Sequence, residues 1–254
     1  MVQSKASLRV VGMIPSRYES TRFPGKPLAD IQGKSMIRRV YEQCLEALSL
    51  DSVYVATDDE RIADEVRSFG GDYLMTSSDH LSGTDRLAEA SGYVDADIIV
   101  NIQGDQPFIE PGMIDEAVQP LLDDPGLPMS TLMQKLTDPR DYDNPNVVKV
   151  VTDTKGFALY FSRSRIPYPR QTDSFYLYEH IGLYVYRKDF LCLLAILAPT
   201  TLEKIELLEQ LRVIENGYKI KVVETKKISS ELSGFSVDTP EDLDRIQEIL
   251  QKIS

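Results

Sequence analysis

The sequence predicts an α/β protein built on a parallel sheet, on three observations. In the first half of the 254 residues, short β-branched segments alternate with amphipathic segments of helical periodicity, as in sheets joined by crossover helices. Segment 96–105 is almost entirely apolar, which is typical of a central strand. The unusual polar residues follow the predicted strands, where loops and helix starts converge at one edge of such a sheet.

The elements of the first half follow in order. Strands are predicted at 8–14, 52–58, 72–78 and 96–105, and helices at 35–48, 58–71 and 83–93. The first helix has apolar residues at three- and four-residue steps from Met36 to Leu48, so it buries one face. The second has acids in its first turn and glycines just past its end, as the helix dipole and the carboxyl-terminal cap favour.

The second half is less regular. Segment 146–163 reads as two strands about an Asp-Thr-Lys-Gly turn, which indicates an antiparallel hairpin. Further strands are predicted at 179–187 and 219–225, and helices at 189–197, at 201–216 and from Thr239 onward. In the helix at 201–216 one face would be apolar, and the remaining polar residues would point elsewhere. That face would consist of Leu202, Ile205, Leu208 and Leu211.

Composition excludes several classes of protein. The longest apolar run, 191–198, is too short to cross a bilayer, and the amino terminus lacks a secretory pattern, so we expect a cytoplasmic protein. A formal charge of −12 argues against binding to nucleic acid. Cys44 and Cys192 have apolar neighbours at helical spacing, so we expect two core residues and no disulfide.

The pair Gly-Lys occurs twice between residues 14 and 35, and each copy is a candidate phosphate site. The copy at Gly33 fits the end of a P-loop motif, but Leu28 stands where that motif requires its first glycine. We therefore interpret this copy as a tight turn, with Ser35 capping the following helix.

The other copy, at Gly25, belongs to a basic loop that directly follows the first strand. This loop gathers Arg17, Arg22 and Lys26 in an otherwise acidic protein. Cations at the edge of a sheet suit a triphosphate, because they neutralise charge that would repel a nucleophile. The alternative is a solvated basic loop without a ligand.

Two aspartates are candidate magnesium ligands, because this ion is commonly held by one or two carboxylates together with substrate phosphates. Asp105 ends the apolar segment, although it could instead be a turn residue that bonds its own backbone. Asp238 precedes a helix start that already has Thr239 as cap and Asp242 as capping-box acid. Its carboxylate is therefore available for a metal, or is a simple surface acid.

Three further groups are candidates for binding polar ligands. Ser82 stands where a helix begins, and its hydroxyl suits the edge of a base or ribose. Neither His80 nor His180 has a partner at zinc spacing, so we expect both to form hydrogen bonds. The arginines at 163, 165 and 170 suit a carboxylate or phosphate, or else pair with surface acids of the protein.

Longer motifs carry a resemblance to a known family. In order and spacing, "IPSRYESTRFPGKPL", "ATDD", "DHLSGTDRLAE", "NIQGDQP", "NVVKVV", "GFALYFSRSRIPY", "HIGLYVYR", "LEKIELLEQLRV" and "VDTPEDL" resemble the 3-deoxy-manno-octulosonate (KDO) cytidylyltransferases. The resemblance covers nearly the whole chain.

The resemblance implies a three-layer α/β/α nucleotide-sugar transferase fold with a mostly parallel central sheet and a small dimerisation lobe. We therefore expect a single nucleotidyltransferase domain over 1–254, with the smaller lobe at roughly 130–200. It also implies that the protein converts CTP and KDO into CMP-KDO and pyrophosphate, for lipopolysaccharide synthesis in Gram-negative bacteria. Magnesium and a homodimer are further implications.

Matching the motif positions assigns roles to individual residues. The resemblance implies that Arg17 and Lys26 hold the CTP phosphates and that Asp105 and Asp238 hold magnesium, and these four are the catalytic candidates. The cytidine would be contacted by Ser82, Arg86 and Gln103. The KDO pocket would be lined by Arg163, His180, Tyr184, Glu209 and Gln210, with Arg165 nearby.

Three positions depart from the family pattern, and two alternative functions stay open. Gln106, Ser236 and Ser35 stand where the family commonly has Glu, Gly and Pro, and none is a proposed ligand. The first alternative is a cytidylyltransferase for another acidic sugar, such as a sialic acid. The second is a protein that binds CTP and leaves it intact.

Overall fold

The computed structural model describes residues 8–19, 23–171, 175–228, 232–233 and 235–253. The chain divides into two compact units, the first formed by Met1–Asp115 with Lys227–Ser254 and the second by Glu116–Lys226. Arg22, one of the three cations of the basic loop, lies outside the described residues. None of the helices in the described ranges is long and apolar enough to cross a membrane.

The first unit contains a parallel sheet flanked by helices, as predicted. Its strands lie in the order β6, β1, β4, β5, and every neighbouring pair is parallel. The strands are β1 (Val10–Ser16), β4 (Ser52–Thr57), β5 (Tyr73–Met75) and β6 (Ile98–Asn101). A small hairpin is formed by β2 (Asp30–Ile31) and β3 (Lys34–Ser35). The helices are α1 (Met36–Leu45), α2 (Glu60–Ser68), α3 (Gly83–Ser91) and α8 (Pro240–Ile253).

The second Gly-Lys pair has the turn structure that the spacing predicts. Gly33 has a φ of 80°, in the region that favours glycine, and it joins β2 to β3. Ser35 caps α1, since its hydroxyl accepts a hydrogen bond from the Arg38 N–H at 3.3 Å. The side chain of Lys34 pairs with Glu42 on the surface of α1. The second Gly-Lys pair therefore belongs to the turn that leads into α1.

A small apolar cluster ties the end of the chain to the first unit. Val237 and Ile246 pack with Ile31, Met36 and Leu232, and all five side chains are buried. Because Val237 directly precedes Asp238, this packing fixes the backbone from which the Asp238 carboxylate projects. Thr239 and Asp242 exchange the reciprocal hydrogen bonds of the predicted capping box.

The second unit has a mixed sheet. The strand β7 (Met129–Lys135) pairs with β11 (Ile220–Glu224) in parallel and with β10 (Tyr178–Arg187) antiparallel. The predicted hairpin is present as β8 (Lys149–Thr152) and β9 (Ala158–Ser162), and β8 also pairs with β10. The helices are α4 (Pro111–Asp123), within which the chain enters this unit, α5 (Lys188–Ile196), α6 (Thr201–Glu206) and α7 (Gln210–Glu215). The predicted lobe at roughly 130–200 falls inside these bounds and stays a prediction.

Two expectations about the second unit are wrong. The helix expected at 201–216 is interrupted, because Leu207 has a φ of 54°, and it divides into α6 and α7. The interruption turns Ile205 outward, with 71% of its surface exposed, instead of placing it on a buried face. Cys192 is exposed on α5, whereas Cys44 lies in the core as expected.

Candidate active site

A cavity of about 300 Å³ in the first unit lies where β1 and β6 end and α3 begins. The resemblance assigned seven residues to CTP and magnesium, and all seven line this cavity. They are Arg17, Lys26, Ser82, Arg86, Gln103, Asp105 and Asp238. The convergence follows from the sheet, because the carboxyl ends of parallel strands share one edge.

Lys26 lies between the two carboxylates of the cavity. Its Nζ is 2.9 Å from Oδ2 of Asp105 and 3.5 Å from Oδ1 of Asp238, and the lysine side chain is 17% exposed. Two carboxylates that share one ammonium form a cluster with a net charge of about −1 by formal count. Because the Lys26 ammonium already lies between the two carboxylates, the geometry of the cluster suits a bound cation.

Backbone contacts hold the three residues of this cluster together. The N–H of Val237 donates to the carbonyl oxygen of Asp105 at 2.9 Å, so the two aspartate loops are joined one residue before Asp238. Gly25 precedes Lys26 with a φ of 72°, and a Cβ there would meet the ring of Tyr18 at 3.2 Å. Only glycine therefore fits this turn without strain.

Ser82 and Arg86 both have structural partners within the first unit. The Ser82 hydroxyl accepts from the N–H of Asp85 at 3.1 Å and so caps α3, which leaves its proton available for donation to a ligand. The buried guanidinium of Arg86 donates to Oδ2 of Asp58 at 3.0 Å and to Oγ1 of Thr76 at 2.5 Å. Arg86 thus supports the loop that carries Ser82, in addition to lining the cavity.

His80 forms hydrogen bonds, as expected, and lines the same cavity. Its Nε2 contacts the carboxylate of Glu89, which also accepts from the Ser77 N–H at 2.9 Å and the Tyr93 hydroxyl at 2.7 Å. The hydrogen bond from Tyr93, followed by that from His80, lowers the pKa of Glu89 to about 2. The loop before α3 is therefore fastened to α3 by an ionised carboxylate.

Two polar groups near the cavity were not predicted from the sequence to bind a ligand. Ser16 lies at the end of β1 and lines the cavity, and its buried hydroxyl has no hydrogen-bond partner within the described part of the chain. The same holds for Oε1 of Gln106, which follows Asp105. Buried polar atoms without partners are uncommon, and a polar ligand would satisfy them. No sequence pattern indicated that Ser16, at the end of a strand, would have a buried hydroxyl without a partner.

A second cavity of about 870 Å³ in the first unit shares Arg17, His80 and Arg86 with the first. Beside it, the guanidinium of Arg61 lies 3.2 Å from the ring centroid of Tyr18, in the basic loop. This cation–π contact attaches the basic loop to the start of α2.

In the second unit, the guanidinium of Arg163 is engaged by the backbone. Its Nε donates to the carbonyl oxygen of Glu206 at 2.7 Å, and its Nη1 donates to that of Pro145 at 2.9 Å. The Glu206 carboxylate accepts from the Ser162 hydroxyl and the Arg163 N–H. In this arrangement Arg163 supports the turn before Glu209.

Arg165 lies in a different environment. Its guanidinium is 5.3 Å from the ring centroid of Tyr142 and 5.4 Å from that of Phe175, and it forms a long ion pair of 3.6 Å with Asp143. Its buried Nε has no hydrogen-bond partner among the described residues. Arg165 therefore retains more capacity for an anion than Arg163 does.

The structure brings His180, Tyr184 and Glu209 together. The rings of His180 and Tyr184 are 5.4 Å apart, and burial followed by the charge of Glu209 raises the pKa of Tyr184. Burial also lowers the pKa of His180 to about 3, so the imidazole is neutral at physiological pH. Gln210, the first residue of α7, is buried.

Lys149 is a fully buried cation that the sequence reading did not single out. Its Nζ donates to the carbonyl oxygens of Asn144, Val147 and Arg163 at 2.9, 2.6 and 2.7 Å. These bonds use all three ammonium protons and fasten the segment before β8 to the end of β9. The sequence signal that could have identified Lys149 is its place inside an otherwise apolar strand segment.

Among the described residues, no group of three or more His, Cys, Asp or Glu side chains could hold a metal ion. A metal at Asp105 and Asp238 would therefore need further ligands from water or from a substrate. Magnesium commonly binds in this way.

Comparisons with known proteins agree with the geometry. The family model described as "Cytidylyltransferase" matches residues 11–228. The 3-deoxy-manno-octulosonate cytidylyltransferase of Syntrophotalea carbinolica is 55% identical over 249 residues, which are 94% of this chain and 98% of the relative. The protein of that name from Geobacter metallireducens is 52% identical over 256 residues, with 96% and 99% covered.

A solved structure is also similar over nearly its full length. It is CMP:2-keto-3-deoxy-manno-octonic acid synthetase complexed with CTP, and it superimposes with a TM-score of 0.91 at 43% identity. The similarity covers 97% of this chain and 100% of the other.

The low pKa of His180 predicts a pH dependence of stability. Between pH 6.5 and about 3 the unfolded chain binds a proton at His180 that the folded chain does not. The free energy of unfolding should therefore decrease as the pH falls through this window, by up to about 1.4 kcal/mol per pH unit from this group. Urea unfolding of the protein and of His180→Gln from pH 7 to 4 measures the difference, and equal pH slopes would contradict the assignment.

Proposed function

The chain belongs to the cytidylyltransferase family, and on that premise we propose that it transfers CMP from CTP to 3-deoxy-manno-octulosonate and releases pyrophosphate. Two relatives of more than 50% identity carry that name, and a similar solved structure was obtained with CTP. The product would supply an activated sugar acid for lipopolysaccharide synthesis.

The cluster of Lys26, Asp105 and Asp238 in the first cavity is the observation that supports this function best. A purely structural ion pair needs one acid for one base, whereas here two acids face one ammonium in a partly open cavity. Arg17 adds a second cation to the same lining. Such a mixture of cations and carboxylates suits a triphosphate bound together with a metal.

The residues present fit magnesium. The Lys26 ammonium lies where a cation between Asp105 and Asp238 would be stabilised, and carboxylate oxygens are the ligands that magnesium prefers. We propose that these two aspartates hold the ion, together with phosphate oxygens of CTP. When bound, magnesium would neutralise phosphate charge and polarise the phosphoryl oxygens.

The reaction is an in-line displacement at the α-phosphorus. The anomeric hydroxyl of the sugar forms the new O–P bond, the bond to the β-phosphate oxygen breaks, and the hydroxyl proton passes to a base or to water. Arg17 and Lys26 hold the phosphates and neutralise the charge on the departing pyrophosphate. Catalysis then arises mainly from positioning and charge neutralisation. Asp238 is a candidate for the base.

Recognition of the base and the sugar completes the proposal. Ser82, Arg86 and Gln103 would contact the cytidine from the first cavity. The sugar pocket would use the second-unit residues Arg163, Arg165, His180, Tyr184, Glu209 and Gln210. A homodimer in the cytoplasm is part of the same proposal, on the resemblance to the family.

The substrate is tested by pyrophosphate release from CTP and magnesium, with KDO, with a sialic acid or with no sugar. We expect turnover with KDO and a rate at least about 100-fold lower with the sialic acid, because a pocket with several polar contacts rejects a sugar that cannot make them. Turnover with the sialic acid alone would establish the other acidic-sugar activity. CTP binding without turnover on any sugar would establish a non-catalytic CTP-binding protein.

The two Gly-Lys pairs provide a matched test of the phosphate site. Lys26→Met should lower kcat/KM for CTP by at least about 100-fold, because it removes the proposed cationic contact to the phosphates. Lys34→Met removes a cation that pairs with Glu42 on the surface, and it should leave kcat/KM within about twofold. Equal effects of the two substitutions in steady-state assays would refute the choice of Lys26.

The metal site is tested by Asp105→Asn and Asp238→Asn. Each should lower kcat by about 100-fold or more and raise the magnesium concentration for half-maximal activity, since it removes a charged ligand. The fold is checked by circular dichroism and thermal unfolding. Near-normal rates and an unchanged magnesium requirement in both variants would exclude these aspartates as ligands.

A further inference from the structure

His180 lies on β10 beside an irregularity in the strand, and Thr131 of β7 contacts its ring. The register between these strands shifts between Ile181 and Tyr184. Oγ1 of the buried Thr131 is 2.9 Å from Nε2 of His180, 2.8 Å from the carbonyl oxygen of Leu183 and 3.1 Å from that of Ile181. Three groups therefore surround one hydroxyl.

The direction of the hydrogen bond between Thr131 and His180 follows from these neighbours. Carbonyl oxygens can only accept, so the single hydroxyl proton of Thr131 is directed at them. The Thr131 oxygen has only lone pairs left for Nε2, which must therefore carry the ring proton. In a neutral imidazole the other nitrogen, Nδ1, is then a hydrogen-bond acceptor.

The surroundings keep this ring neutral and leave Nδ1 available. His180 packs against the edge-on ring of Phe161 at 4.8 Å and against Tyr184, in a setting where burial disfavours the charged imidazolium. His180 as a whole residue is 9% exposed, so part of it is open to a ligand. Among the described residues, Nδ1 has no hydrogen-bond partner.

We infer that His180 offers Nδ1 as an acceptor to a hydroxyl group of the acidic sugar, and that Thr131 is the positioning residue that sets this tautomer. The inference rests on the proposed function for the identity of the ligand. An ionised carboxylate has no proton to donate to Nδ1, so His180 binds the polyol part of the sugar. The carboxylate is then left to a cationic group.

The tautomer can be observed directly, because the chain contains two histidines. In protein labelled with ¹⁵N-histidine, nitrogen NMR distinguishes protonated from unprotonated ring nitrogens, and His80→Asn assigns the two rings. We expect His180 to be protonated at Nε2 and unprotonated at Nδ1 in the unmodified protein. Protonation at Nδ1 would overturn the inference without any variant of Thr131.

Three variants test the role of Thr131. Thr131→Val keeps the shape of the side chain and removes the acceptor, so the His180 tautomers should become mixed. Thr131→Ser keeps the hydroxyl and should restore the single tautomer. Ser130→Ala is the matched control, since it removes a buried hydroxyl that donates to the Ala117 carbonyl and forms no hydrogen bond with His180 among the described residues.

Kinetics separate a positioning role from a structural one. Thr131→Val should raise KM for KDO about tenfold, as expected for loss of one hydrogen bond, while kcat and KM for CTP change by less than about twofold. Thr131→Ser should return KM for KDO to the original range. An unchanged KM for KDO in Thr131→Val, or an equal rise in Ser130→Ala, would overturn the inference.

The outcomes distinguish this inference from the proposed function. If no acidic sugar supports turnover, the proposed function fails, while the NMR spectrum still decides the tautomer. If KDO is turned over but His180 is protonated at Nδ1, the inference fails alone. If Thr131→Val does not fold, the spectrum of the unmodified protein and the kinetics of Thr131→Ser decide.

Discussion

The arrangement of the first cavity depends on the ion pairs that the Lys26 ammonium forms with two carboxylates. Asp105 and Asp238 come from chain segments far apart in sequence, and without a cation their like charges would separate the two loops. The two loops are brought together by the backbone hydrogen bond from Val237 to Asp105 and by the packing of Val237. The charge of Lys26 offsets the repulsion between the two carboxylates at this distance. The side chains of the cavity thus place a positive group between two carboxylates, in the arrangement that a bound cation would have.

The second unit follows a different principle, in which buried polar side chains bind backbone carbonyl groups. Lys149 donates to the carbonyl oxygen of Arg163, just after β9, and Arg163 donates to that of Glu206, at the end of α6. Thr131 donates to the carbonyl oxygen of Leu183, where the register of β10 shifts. A buried donor without an acceptor would cost about 1–3 kcal/mol, so these bonds hold irregular backbone in one conformation. Irregular backbone held in this way can present side chains at angles that a regular strand or helix cannot.

Most of the first unit could be predicted from the sequence because its signals are local. The apolar spacing and the Ser35 cap define α1, and the order of strands and loops places Lys26 near Asp105. The break at Leu207 could not be predicted, since leucine favours helices and the turn is contacted by Arg163, which is distant in sequence. The burial of Lys149 and the bonds of Thr131 depend on carbonyl positions that no side-chain pattern encodes.

The conformation of Leu207 affects how a substitution of Arg163 should be interpreted. Leu207 has a φ of 54°, and a residue other than glycine in this left-handed region costs about 1 kcal/mol or more. The guanidinium of Arg163 contacts the turn, because it donates to the carbonyl oxygens of Glu206 and Leu207. We expect that replacing Arg163 would loosen this turn and shift Glu209 and Gln210, which follow it after Leu208. Weaker sugar binding in such a variant would then be transmitted through the main chain, and a lysine at 163 would retain the charge without the planar fork that holds the turn.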